Sequence, residues 1–187
     1  MHDFLKKKAP TLESDRLIFK PLGLEHLSHT YVDWMNDRDV VKYLESGGDY
    51  SYEMLKDFLG GVQNGEFLFW AIHLKSSNKH IGNIKIDPVW MRHMICEFSI
   101  LMGDKIEWGK GYAKEASLRI IDFCFMELNI RKINLGVVEN NTVAVKLYTN
   151  LGFSIEGVYI DHGIYDGVFS NVLRMALFNK NYIEGSK

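Results

Sequence analysis

The stretch Glu107–Ala116, "EWGKGYAKEA", sets two glycines one residue apart directly ahead of residues that favour helix. A strand ending near Met102, a glycine-containing loop and a helix beginning near Gly111 would aim unpaired backbone N–H groups and the positive end of the helix dipole outward. That geometry suits a pyrophosphate. Gly109 and Gly111 carry no side chain to hold phosphate oxygens away from the amides, and Lys110 adds a charge at the rim. The same letters equally describe a strand-to-helix turn with no ligand at all. Two common phosphate loops do not fit: G-x-G-x-x-G requires glycine where Lys114 stands, and G-x-x-x-x-G-K-S/T has no counterpart.

Working outward, Ala113, Ala116, Ile120, Ile121, Cys124 and Leu128 mark one face of a long helix, with Lys114, Glu115, Arg119, Asp122 and Glu127 on the other. "KINLGVVE" follows as a strand, then "NNTVAVKLYTNLGF" as a short helix ended by Gly152, then a closing hairpin of "SIEGVYIDHGIY" and "VFSNVLRMALF" about an Asp166-Gly167 turn. Upstream, "RLIFKPL" reads as a strand. "LEHLSHTYVDWMND" places Leu24, Leu27, Tyr31, Trp34 and Met35 at helical spacing. Further helices are expected over "DRDVVKYLE" and "YEMLKDFLGGVQN", the latter capped by Asp49 or Ser51. "FLFWAIHL", "HIGNIKIDPVW" and "HMICEFSILM" form a meander of three strands. In its major elements the order is β-α-α-β-β-β-α-β-α-β-β, an α/β domain with a mixed sheet.

The 187 residues are long enough to bury one substantial core, and a single domain over 1–187 is expected, with loose tails at 1–10 and 180–187. No apolar run approaches the roughly 18 residues that span a membrane, and Lys6, Lys7 and Lys8 precede no apolar leader, so a cytoplasmic protein without a membrane partner is expected. The net charge of −2 offers nucleic acid no general attraction. Cys96 and Cys124 sit in apolar sequence as small hydrophobes, and the seven histidines show no paired ligand spacing, so neither a disulfide framework nor a metal is expected. Oligomeric state is left open between monomer and homodimer.

A second constellation lies in "NTVAVKLYTNLGF", Asn141–Phe153. Asn141, Ala144, Tyr148, Gly152 and Phe153 fall in register with N-x-x-A-x-x-x-Y-x-x-x-G-F, and the segment resembles that signature of the GNAT superfamily of acetyl-CoA-dependent N-acetyltransferases. "WGKGYA" is similar to the same family's coenzyme loop, Q/R-x-x-G-x-G/A, at Gly111 and Ala113, with Trp108 in the place of the usual polar residue. The likeness runs from "TLESDRLIFKPL" to "NVLRMALFNKNY" and looks closest to the ribosomal-protein N-acetyltransferase (RimJ/RimL) branch. It implies a mixed, mostly antiparallel sheet of about seven strands, splayed after Met102 and flanked by helices on both faces.

The resemblance also implies a chemistry: acetyl-CoA as cosubstrate, no metal, and direct attack by a primary amine in a ternary complex. The acceptor would be a protein N-terminal α-amine or a small-molecule amine. By the same likeness the amides of Trp108, Gly109, Lys110, Gly111, Tyr112 and Ala113 cradle the pyrophosphate, backbone groups of Leu101 and Gly103 pair with the pantetheine arm, and Asn141 contacts the coenzyme or a bridging water, or simply caps its helix. Tyr148 is the expected general acid toward the departing thiolate, against a plain packing role. Glu97, in the apolar strand "CEFSI", is the expected base, against an outward-facing strand residue. The acidic position found in some relatives on the strand before Asn141 is taken by Gly136. His73, His80 and His162 are left without a role. Trp34, Tyr50, Tyr52 and Trp90 are possible walls of an acceptor cleft, and Glu45 and Asp49 possible attractors of a cation. A non-catalytic acyl-CoA-binding regulatory module is the alternative; it would keep the loop and need no proton donor.

Overall fold

Alternating and continuous apolar runs form strands, and residues of 3.6 periodicity form helices, largely where the letters place them. A computed structural model describes residues 9–65 and 67–182. In chain order the strands are β1 (Leu12–Glu13), β2 (Leu17–Pro21), β3 (Leu68–Leu74), β4 (His80–Trp90), β5 (Ile95–Met102), β6 (Lys132–Val138), β7 (Ser154–Tyr165) and β8 (Val168–Phe178). The helices are α1 (His29–Asn36), α2 (Arg38–Val41), α3 (Tyr52–Asn64), α4 (Tyr112–Asp122) and α5 (Thr142–Asn150). The eight strands run in the order β1-β2-β3-β4-β5-β6-β8-β7, with β5 and β6 parallel and the remaining described pairs antiparallel. The expected mixed, mostly antiparallel α/β sheet is therefore present. Its extra strand is β1, whose two residues are too short to show a period.

Backbone contacts divide the described residues into two compact units, one built from residues 9–87 together with Ser99–Arg119, the other from Pro88–Phe98 and residues 120–182. In the first unit α1, α2 and α3 bury Tyr31, Trp34, Met35, Val40, Leu55 and Leu59 against Leu22 and Ala71. Ser28 caps α1 by accepting from the Tyr31 amide, and Ser51 caps α3 by accepting from Met54. Ala9 is buried and the Pro10 carbonyl accepts from the Trp70 indole at 2.6 Å, so the expected loose tail does not extend to these two residues. At the other end Asn181 and Tyr182 donate their amides to Asn179, at 2.9 and 3.3 Å, and the rest of that expectation, over 1–8 and 183–187, lies outside the described residues.

In the second unit the β5–β6 ladder pairs Ile95, Cys96 and Glu97 with Lys132, Ile133 and Asn134. These are the pairs the ladder contains among the described residues, so it ends at Glu97, earlier than the expected break after Met102. Cys96 and Cys124 are free and fully buried. α4 runs on into a π-turn over Phe123–Glu127, a departure from the single regular helix that the periodicity suggests. Asp166 and Gly167 both take positive φ, 50° and 75°, in the expected hairpin turn.

Candidate active site

In the first unit the chain leaves β5, turns through a 3-10 segment over Lys105–Glu107, and enters α4 through the glycines. Gly109 and Gly111 have φ of 74° and 82°, a left-handed backbone that favours glycine over any residue with a Cβ. Around Gly109 a Cβ would meet open space, and at Gly111 the nearest atom would be Arg16 Nη2 at 3.6 Å. Backbone conformation, rather than crowding, is what requires both glycines.

The first bond of α4 runs from the Glu115 amide to the Gly111 carbonyl, 3.1 Å. The amides of Tyr112, Ala113 and Lys114 therefore have no partner within the helix, and Gly111 has no side chain with which to cap them. Gly109, Lys110 and Gly111 are exposed, so among the described residues no side chain plugs this mouth.

Other expectations for the loop change in detail. Lys110 Nζ is paired with Glu107 Oε2 at 2.8 Å, so its charge at the rim is already countered. Glu107 and Asp104 are buried carboxylates, and Lys79 serves both from the other side. Trp108 has a polar role: its indole Nε1 donates to the Met102 carbonyl at 2.9 Å, tying the loop to the end of β5. The Gly103 amide donates to Ile81 at 3.0 Å and is not open to a pantetheine arm. The Leu101 carbonyl lies so close to Gly82 of β4 that a Cβ there would overlap it. The backbone donor expected of Gly103 is thus taken by β4, while β4 crowds the Leu101 carbonyl. Gly103 is itself required by packing, since a Cβ would run into the Trp34 ring.

The second unit holds Asn141, Tyr148 and Glu97. Asn141 is the N-cap of α5; its Oδ1 accepts from the Ala144 amide at 3.2 Å. Tyr148, Gly152 and Phe153 end the same helix in a Schellman motif. Phe153 N–H donates to the Tyr148 carbonyl and Gly152 N–H to that of Thr149, both at 3.0 Å, with Gly152 at φ 93°. Two letters of the signature, glycine and phenylalanine, therefore have a helix-stop role that needs no ligand.

The Tyr148 ring is buried edge-on to Phe98 and Phe153, with centroids 6.1 and 5.8 Å away. Burial pushes its phenol up to about 12. The group stays protonated across the whole range in which proteins work.

Glu97 does not stand among apolar neighbours. Arg174 Nη2 lies 2.7 Å from Oε1 and 2.9 Å from Oε2, so one guanidinium nitrogen engages both oxygens. Gly136 explains how Arg174 reaches this place: a Cβ on Gly136 would come within 2.8 Å of Arg174 Nη1. The strand position where some relatives carry an acid is here the clearance for an arginine. Sequence reading missed that partner, which is 77 residues away from Glu97.

The histidines divide. His26, His73 and His80 form a triangle in the first unit, with ring centroids 5.2 to 5.3 Å apart, walled by Tyr31 and Trp34. His73 Nδ1 donates to the Asn78 carbonyl, which can only accept. Burial lowers all three below the usual histidine value, His80 to about 3. Neutral core histidines are poor proton shuttles at physiological pH. Trp34 is likewise core, whereas Trp90 is exposed and Tyr52 lies beside His29. His162 is exposed beside the Tyr159 ring.

An open mixed sheet with a bare-amide helix entry is an α/β architecture that offers an anion a place to bind. The backbone superimposes on the crystal structure of Vibrio cholerae spermidine N-acetyltransferase in complex with CoA and spermine, with a TM-score of 0.80, 24% identity, and coverage of 90% of this chain and 99% of that one. The family model for the acetyltransferase (GNAT) domain matches residues 16–154, and the chain belongs to that family. Its enzyme class is N-acetyltransferase. Among its relatives, spermidine N(1)-acetyltransferase of Vibrio cholerae is 32% identical over 154 residues, 81% of this chain and 87% of the relative. An uncharacterized N-acetyltransferase of Bacillus licheniformis is 26% identical over 176 residues, 92% of this chain and 98% of the relative.

Proposed function

We propose that the chain transfers the acetyl group of acetyl-CoA to a primary amine, and that the acceptor is a small aliphatic polyamine of the spermidine type. The observation that carries the first part is the mouth of α4: two glycines at positive φ followed by three amides with no partner in their own helix. The names of the Vibrio cholerae relatives support the second part. A protein N-terminal α-amine, as in the RimJ/RimL branch, is the competing acceptor; it rests on the likeness of "WGKGYA" alone.

In this reading the amides of Gly109–Ala113 hold the diphosphate, the expected Trp108 amide being already given to the Lys105 carbonyl at 3.2 Å, and the amine nitrogen attacks the thioester carbonyl. The C–S bond breaks as the C–N bond forms, and the thiolate receives a proton from Tyr148. With the phenol at about 12, handing its proton to a thiol with a pKa near 8.5 is uphill by roughly 5 kcal/mol. Donation must therefore coincide with C–S cleavage and be followed by return of a proton to the phenolate from the newly acylated nitrogen, which leaves a neutral amide. The attacking ammonium first loses its own proton to Glu97 or to water, and Arg174 competes for the lone pairs of that carboxylate. Asn141 is assigned to holding α5 in place, with any coenzyme contact secondary. Among the described residues no helix is long and apolar enough to cross a membrane. Two free buried thiols accord with a reducing, cytoplasmic setting.

A thiol-release assay with acetyl-CoA and a panel of spermidine, spermine and peptides with free N-termini tests the proposal. Turnover with the polyamines and none with the peptides is expected. Turnover with peptides alone overturns the acceptor assignment, and coenzyme binding without turnover on any amine favours a regulatory module.

A further inference from the structure

Arg16, just ahead of β2, is 94 residues from Lys110, whose carbonyl accepts from its Nη1 at 3.1 Å. The Arg16 Nε donates to Glu115 Oε2 at 2.6 Å, and its own amide to Glu115 Oε1 at 2.7 Å. Ser14 Oγ adds a third donor to Glu115 Oε1, also at 2.7 Å. The guanidinium lies over the Tyr112 ring, 4.4 Å from its centroid. Glu115 is well covered, and its carboxyl is held below its usual range: burial acts in the opposite sense, but the Arg16 amide, the Ser14 hydroxyl and the Arg16 guanidinium outweigh it. One arginine thus grips the loop at Lys110, the first helical residue at Tyr112 and the first turn of α4 at Glu115.

The consequence follows from the peptide plane. In a trans peptide the C=O and the next N–H point in opposite directions. Drawing the Lys110 carbonyl toward Arg16 turns the Gly111 N–H away from it. With φ at 82° Gly111 imposes little preference of its own, so the direction of that amide depends on what holds the carbonyl. Lys110 cannot do this with its own side chain, which is committed to Glu107.

We propose that Arg16, locked by Glu115, is a positioning residue for the coenzyme: it fixes the Lys110–Gly111 peptide so that the Gly111 amide faces the diphosphate. The proposal rests on the reading that this loop holds coenzyme A. A planar two-pronged donor is needed, which an ammonium does not supply.

The test measures the Kd of coenzyme A by calorimetry, and kcat and KM for acetyl-CoA, in Arg16→Gln, Arg16→Lys and Glu115→Gln. Gly111→Asp serves as the loop control. Both Arg16 variants are expected to raise Kd and KM about tenfold with kcat at saturation kept, because preorganisation is lost while chemistry is not. Glu115→Gln should act in the same direction and more weakly. Hydrogen exchange of the Gly111 amide should quicken in each. Full rescue by Arg16→Lys would overturn the proposal by showing that charge alone suffices. So would a lowered Tm with unchanged Kd, the mark of a merely structural contact. If Gly111→Asp abolishes coenzyme binding while Arg16→Gln leaves it intact, only the brace is overturned. If Gly111→Asp leaves binding intact, the loop is not the coenzyme site and both fall.

Discussion

α4 and α5 begin in opposite ways. At α5 the chain supplies its own cap, Asn141 Oδ1 accepting from Ala144, and the first turn is closed from within. At α4 the residue ahead of the helix is a glycine at positive φ, the first turn has no cap of its own, and order comes from a distant arginine and glutamate instead. α1 and α3 follow the α5 pattern through Ser28 and Ser51. A helix start left open by the chain, yet braced from outside, is what an anion-binding mouth requires: donors that are fixed in direction and still vacant. A closed start requires neither.

The sharpest way to break this contrast is to give α4 a cap. Gly111→Asp places a carboxylate where the diphosphate would lie, at a positive φ that costs aspartate about 1–2 kcal/mol of backbone strain. Coenzyme A affinity measured by calorimetry should fall on the order of a thousandfold, with the fold retained by circular dichroism. An unchanged affinity would mean that the two helix starts do not differ in function.

Tyr148→Phe probes the α5 side, where the helix is closed and only one side chain is given a chemical task. Steady-state rates should show kcat lowered about a hundredfold and KM for acetyl-CoA little moved. A kcat within twofold of the parent would leave Tyr148 with its packing and Schellman roles alone.

Asn141→Ala separates capping from coenzyme contact. Losing the cap should cost about 1 kcal/mol, a fall in Tm of about 3 °C by calorimetric scan, with coenzyme affinity unaltered. A drop in affinity without loss of stability would return Asn141 to the coenzyme.

The last expected effect is read on stability alone and concerns pH. His80, half-buried in the ring cluster, is held neutral, with its value lowered from 6.5 to about 3, and His26 and His73 shift in the same direction. Below pH 6.5 the unfolded chain binds protons that the folded chain refuses. Stability should be complete above pH 6.5 and decline as pH falls toward about 3. Urea unfolding at pH 7.5, 6 and 5 should show that decline, and His80→Gln should flatten it.

What the sequence made legible, and what it hid, follows from distance along the chain. The need for glycine at 109 and 111, the stop at Gly152 and the Asp166-Gly167 turn are local backbone demands, readable from adjacent letters. Strands β2 to β6 and β8 and the longer helices were readable from apolar runs and short-period burial, whereas β7, exposed along nearly its whole length, was readable from the Asp166-Gly167 turn that follows it. β1 carries no period in two residues, and α2 is confined to Arg38–Val41 where a helix through Glu45 was expected. The partners of the candidate site's carboxylates are nowhere near them in sequence: Arg174 lies 77 residues from Glu97, and Arg16 lies 99 from Glu115. No local pattern announces such pairs, which is why Glu97 read as a free carboxylate and Lys110 as a free cation. Trp108 was opaque for a similar reason, since its role is a bond to the backbone of Met102.

The central claim is that the open amides at the start of α4 receive the diphosphate of coenzyme A. Amide NMR of the isotope-labelled protein titrated with coenzyme A tests it most directly. The account expects the N–H resonances of Gly111, Tyr112, Ala113 and Lys114 to shift strongly and gain protection from exchange, while those of Thr142, Val143 and Ala144 at the capped start of α5 move little. Saturation by coenzyme A with the α4 amides unmoved would contradict it.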